Sequence, residues 1–283
     1  MKHTTGDTFQ PDAGPVFFIA SNPKAVEESN FNNVLVAVNE LTTKKDDDRL
    51  ARMLDAGRNV LIDSGIFNLA MAHARTHGLH MDDALLMPPS QVDGFSKLRD
   101  KYYEVADTYG SRVWGMIELD QGGRDVKPET RAQIEADTGI TPIPVYHPLV
   151  DGWEYYDTIA EQYDRICFGN IVKASPPVRL RLVFTAFERA KKYPHLWTHL
   201  LGLFPNQNTL SMLGMKGSFD SSSWLTGVRW MPSWKDSAML KMEGSFPPDL
   251  WYNKRSGTVE EMLSAIAEYT QRTVDAVRED THP

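Results

Sequence analysis

Eight short apolar or β-branched runs, separated by helical or loop-like stretches within 283 residues, predict an α/β fold of the (β/α)8 TIM-barrel class with insertions at its C-terminal face. Three observations carry that expectation. Eight is the number of parallel strands at which such a barrel closes. Helical patterns fall between the runs, as crossovers between parallel strands require. The length suits a single α/β barrel, so residues 16–283 are read as one domain preceded by a flexible polar lead over 1–15.

The expected strands are Val16–Ala20, Val34–Val38, Asn59–Ile62, Val113–Leu119, Ile140–Tyr146, Arg165–Phe168, His199–Phe204 and Gly217–Phe219. Helices are expected over Asp46–Ala56 and Pro177–Lys192. Another is expected over Thr258–Val277, where Thr258 and Glu261 make a capping box and Met262, Ile266, Tyr269 and Val274 form an apolar stripe. Two segments break the repeat and read as insertions over the barrel mouth: Leu79–Lys101, and Arg229–Asn253 with its clustered tryptophans.

Composition narrows the function. With 41% hydrophobic and 24% charged residues and no long apolar run, the chain reads as a soluble globular protein without a membrane partner. The polar start lacks a secretory h-region, so a cytoplasmic location is expected. Cys167 is the sole cysteine, which excludes an internal disulfide and any multi-cysteine zinc site. A net charge of -8 argues against a general nucleic-acid coat while leaving room for a local basic groove.

In a barrel of this class the chemistry lies at the strand C-terminal ends. Three acids fall there: Asp63 ending "NVLID", Asp120 ending "GMIELD", and Asp220 in "GSFDSSSW". Any one of them is commonly a helix cap or a loop anchor; three on one rim point to a site. Beside them stand His147, Gly169-Asn170 and Gly202, glycines that let a flat ligand approach the backbone. Phe67 offers either an aromatic face for a heterocycle or an ordinary core ring beside Ile66 and Leu69.

"DSGIF", "THLLGLF" and "GSFDSSSW", in that order, resemble the signatures of the tRNA-guanine transglycosylase superfamily, whose members exchange guanine for a 7-deazaguanine. The resemblance covers the expected third to eighth strands. It implies Asp220 as nucleophile, Asp63 as general acid/base and Phe67 as the ring stacked on the base. It also implies base recognition by Asp120, His147, Gly169, Asn170, Ile171, Leu201 and Gly202. Homodimers are common in the family, so a homodimer is a further expectation.

The departures are informative. One cysteine cannot build the family's zinc site, so no zinc and no other cofactor is expected. Ile66 replaces the second glycine of the family's "DSGG", which should narrow the pocket. The RNA-binding C-terminal domain of archaeal members is not expected in this chain. These features make the chain most similar to zinc-free phage-type DNA transglycosylases, which would act in the host cytoplasm. The expected reaction is exchange of guanine in DNA for a free 7-deazaguanine such as preQ0, through a covalent Asp220–glycosyl intermediate, with tRNA as the alternative substrate.

For the strand itself, Lys173, Arg179 and Arg229 are the expected backbone contacts, within or near the basic region that also holds Arg181, Arg189, Lys191 and Lys192. A solvated helix face is the commoner fate of such charges. "MAHARTHGLH" prompts a rival reading as a metal-dependent hydrolase, since His73 and His77 share a helix face and His80 follows; it lacks the Glu of an HExxH motif, and surface histidines are the expectation. A non-catalytic base-binding protein is a third reading, against which the paired Asp63 and Asp220 stand.

Overall fold

The computed structural model describes residues 1–4, 6, 16–29, 31–203 and 217–222. Eight parallel strands make one sheet: β1 (Val16–Ala20), β2 (Asn33–Ala37), β3 (Asn59–Asp63), β4 (Gly115–Met116), β5 (Val145–Tyr146), β6 (Arg165–Phe168), β7 (Trp197–Leu200) and β8 (Gly217–Ser221). Their order is β4-β3-β2-β1-β8-β7-β6-β5. First and last strands are therefore neighbours, in register from Val16↔Ser218 to Ile19↔Ser221. One parallel bridge, Ile117↔Ile143, joins the segments next to the outermost strands β4 and β5.

The helices are α1 (Pro23–Glu28), α2 (Lys44–Asp55), α3 (Ile66–His77), α4 (Met81–Leu86), α5 (Phe95–Tyr109), α6 (Lys127–Thr138), α7 (Trp153–Gln162) and α8 (Pro176–Ala190). Their starts are locally encoded. Thr43 and Asp46 form a reciprocal capping box on α2. Prolines stand in the first turn of α1, α6 and α8, where a missing N–H costs no helical hydrogen bond. Gly65, at φ 81, turns β3 into α3, and a Cβ there would stand 2.5 Å from Asn39 Oδ1.

Strand alternation sorts the core into two layers. Phe17, Ile19, Val34, Val36, Val60, Ile62, Ile166, Phe168 and Phe219 pack with the helices. Phe18, Ala20, Leu35, Leu61, Val145, Cys167 and Trp197 fill the opposite face. That face is concave. Trp114, just before β4, stacks 5.0 Å from Phe18 of β1 and 6.1 Å from Trp197 of β7, contacts a flat sheet of this order would forbid.

Three expectations change. The fourth and fifth strands shrink to two residues each, because the Glu118 carboxylate takes the Val145 N–H at 2.6 Å while Arg131 neutralises its other oxygen. A side chain thus takes the ladder donor at Val145, while Ile143 N–H and Glu118 N–H still bond to Met116 O and Ile143 O. The seventh strand lies earlier than His199–Phe204: Trp197 N donates to Asp164 O at its start, and Gly202 at φ 68 turns the chain away after Leu200. The first residues of the expected flexible lead are anchored, since Lys2 bridges Tyr163 and Thr4 binds Asp164 through both its N–H and its hydroxyl. Arg229, Thr258–Val277 and the Arg229–Asn253 insertion lie outside the described residues.

Candidate active site

A cavity of about 560 Å³ opens where the strands end. Asp63, Phe67, Asp120, His147, Gly169, Asn170, Leu201, Gly202 and Asp220 all line it, so the structure gathers nine residues spread over the sequence from 63 to 220. Pleat parity explains much of this. Leu61, Val145, Cys167 and Trp197 face the concave side, so Asp63, His147, Gly169 and His199, two residues further on, continue that face at or beyond the strand ends. Asp220 follows from Phe219, which faces the helices.

Asp63 is half-buried. Burial pushes its carboxyl up to about 7, the charges of Asp120 and Asp220 add to that rise, and the backbone N–H groups of Gly65 and Ser64 oppose it. Near neutrality this group can both give and take a proton.

Asp120 has a different environment. Burial acts to raise its pKa, yet the hydrogen bond and charge of His147, with the charge of Lys127, bring the net shift below the ordinary value. Its Oδ2 lies 2.9 Å from His147 Nε2, and its Oδ1 accepts from Ser64 Oγ at 3.2 Å. His147 is braced in turn: its backbone N–H donates to Asp151 Oδ2 at 2.9 Å, and the same oxygen takes Lys127 Nζ at 2.8 Å. Lys127 is wholly buried and also donates to Val145 O, so this ion pair ties α6 to the end of β5.

Asp220 stands on β8 with both of its recorded hydrogen bonds on one oxygen. Oδ1 accepts the Gly202 N–H at 2.9 Å and lies 3.1 Å from His199 Nε2. Among the described residues no hydrogen bond reaches Oδ2. Phe67, in the first turn of α3, is 37% exposed and on the cavity wall, which removes the core-ring reading and leaves its face for a ligand. Leu85 of α4 also lines the cavity, held by Gln121 Nε2, which lies within hydrogen-bond distance of Ala84 O, Leu85 O and Met87 O. Part of the Leu79–Lys101 segment thus forms cavity wall.

Other expectations are corrected. Ile171 is fully buried in the core rather than on the cavity, whose wall there is Val172. Arg179 reaches no open groove: its guanidinium holds the carbonyls of Ile171, Val172 and Ala174, fixing the turn before α8. Lys173 pairs with Asp82 at 3.1 Å, and Asn170 Nδ2 donates to the same Asp82 oxygen. Arg189 pairs with Asp157 and lies over the Trp153 ring.

Of the three histidines, His73 is buried, not on the surface. Its Nδ1 accepts the Asp93 N–H at 3.2 Å, and Asp93 Oδ2 also binds His77 Nε2 at 2.7 Å. His73, His77 and Asp93 could together hold a metal ion; Asp93 binds one nitrogen of each ring, and the buried His73 Nε2 has no hydrogen-bond partner among the described residues. The sequence reading missed Ser21, Asn22, Glu40 and Ser64, which lie on or beside the cavity, and also His199 and Ser218. His199 and Ser218 were recoverable, because each stands two residues from a position assigned to the rim, Leu201 and Asp220, on the same strand face.

No protein-family model matches this chain, and no curated protein matches it.

Proposed function

We propose that the chain is a base-exchange transglycosylase that replaces guanine in DNA with a free 7-deazaguanine, and that its sheet closes as a (β/α)8 barrel across the Ile117–Ile143 bridge. One observation carries the reading: Asp63 and Asp220 share one cavity in opposed settings, Asp63 poised near neutrality and Asp220 held by two donors on one oxygen. Pairs of carboxylates set apart in this way divide into a proton carrier and a nucleophile.

The chemistry follows from those settings. Asp220 Oδ2 forms a bond to C1′ of the nucleotide as the C1′–N9 bond breaks, and the departing guanine takes a proton from neutral Asp63. Asp63, now a carboxylate, removes the N9 proton of the incoming 7-deazaguanine, whose N9 then displaces Asp220 from C1′. Two inversions give retention. Phe67 offsets the stacking lost when the nucleotide leaves the helix, about a few kcal/mol. Asp120, backed by His147, accepts the N–H groups that guanine has and adenine lacks. No metal or organic cofactor takes part in this scheme.

Among the described residues no helix is long and apolar enough to cross a membrane. The test is incubation with duplex DNA, single-stranded DNA and tRNA, each with radiolabelled guanine. Label in DNA supports the proposal. Label in tRNA alone keeps the chemistry and changes the substrate, and no label anywhere rejects it.

A further inference from the structure

We propose that His199 is a positioning residue for Asp220, set by a buried hydrogen-bond relay from Trp197 through Ser218 that selects Oδ2 as the attacking oxygen. The proposal rests on the transglycosylase reading. Its geometry is independent of it.

The relay runs through four side chains on β7 and β8. Trp197 Nε1 donates to Ser218 Oγ at 2.8 Å, His199 Nδ1 lies 2.8 Å from the same oxygen, and His199 Nε2 lies 3.1 Å from Asp220 Oδ1. Trp197, His199 and Ser218 are each 1% exposed or less, so water does not compete with these bonds. An indole N–H only donates, so Ser218 Oγ must accept from Trp197. The one hydroxyl hydrogen is then free for His199 Nδ1. The Asp220 carboxylate only accepts, so neutral His199 carries its proton on Nε2, directed at Asp220, and its Nδ1 accepts the Ser218 hydroxyl hydrogen.

With a second donor from Gly202 N–H, Oδ1 has two hydrogen bonds and Oδ2 has none among the described residues. The more weakly held oxygen is the better nucleophile. A fixed Oδ1 also sets the direction of Oδ2, since the two share one plane, and Phe18 closes on the His199 ring edge-on at 5.9 Å to prevent its rotation. None of this machinery touches the nucleotide. It acts through Asp220.

The test compares wild type, His199→Phe, His199→Gln and Ser218→Ala in exchange of radiolabelled guanine into DNA and tRNA, with the covalent adduct trapped in a single turnover. A Gln amide N–H can stand where Nε2–H stood, whereas Phe fills the space and donates nothing. We expect His199→Phe to lower kcat about 10- to 100-fold with little change in KM, and His199→Gln to recover most of the loss. An active wild type with an unimpaired Phe variant, or a Gln variant no better than Phe, overturns the proposal and leaves the transglycosylase reading standing. An inert wild type removes both. A measurement without substrate guards against misfolded variants: nitrogen NMR of labelled histidine should show the Nε2–H form of His199 in wild type and a mixture in Ser218→Ala. The Nδ1–H form in wild type overturns the relay.

Discussion

Asp120 Oδ2 and His147 Nε2 stand 2.9 Å apart, although 27 residues separate them in the chain. Each fixes the other at the cavity wall. His147→Ala should leave Asp120 without its largest favourable partner, so its carboxyl should rise toward the protonated form and accept base N–H groups less well. The expected result is a KM for guanine about tenfold higher with a smaller change in kcat, read from exchange kinetics. An unchanged KM would separate this pair from base recognition.

Asp63 makes stability depend on pH. Its folded pKa of about 7 lies above the ordinary 3.8, so the folded chain binds the extra proton between those values. That stabilisation is fully present below about pH 4 and is lost as pH rises through 7. Asp63→Asn, which cannot ionise, should therefore gain stability relative to wild type on going from pH 4.5 to pH 8, by at most about 4 kcal/mol. Denaturant melts at the two pH values measure it, and a difference that does not change with pH rejects the assignment. The same variant should fail in exchange.

Asp220→Ala should abolish exchange, by at least about a thousandfold, while keeping the fold. The carboxylate lies at a cavity wall, so its loss opens space instead of stranding a core charge. Covalent adduct on a denaturing gel and a thermal melt report the two effects separately. A fully active variant would remove the nucleophile from Asp220.

Gly202 and Gly139 form a matched pair for testing the donor to Asp220. Both have left-handed backbone, φ 68 and φ 70, so alanine at either should cost about 1 kcal/mol of stability. At Gly139 the new Cβ meets nothing within 4 Å, whereas at Gly202 it meets Val172 Cγ1 at 3.2 Å, beside the N–H that holds Oδ1. Gly202→Ala alone should slow exchange. Equal activity in the two variants would show that the added Cβ does not displace the N–H that holds Oδ1.

The sequence made the sheet legible where apolar runs stand free of competing side chains. Val16–Ala20 and Arg165–Phe168 fall where their pattern places them. It failed where a charged side chain replaces the ladder, as Glu118 does beside β5, because burial of an acid with Arg131 is a tertiary event that no local period announces. The rim acids were legible for the opposite reason: each interrupts an apolar run at its end. The strand face of His199 and Ser218 was recoverable by parity, but their partnership was hidden, because a polar residue within a short strand reads as surface until the facing strand supplies its partner. Arg179 shows the converse error, a cation read as free whose acceptors are carbonyls five to eight residues earlier.

Beneath the site, at the opposite end of the sheet, the Arg165 guanidinium is buried and donates to Thr4 Oγ1, Thr4 O and Trp114 O. Thr4 belongs to the stretch whose composition looks most dispensable. Its removal would take away two of the acceptors of a buried cation under Trp114, whose ring packs on both Phe18 and Trp197, the first member of the proposed relay to Asp220. A version of this chain trimmed to begin at Val16 should therefore lose more than a tail: the floor on which the support of Asp220 rests would be opened to water, and solubility, with any exchange activity, should decline.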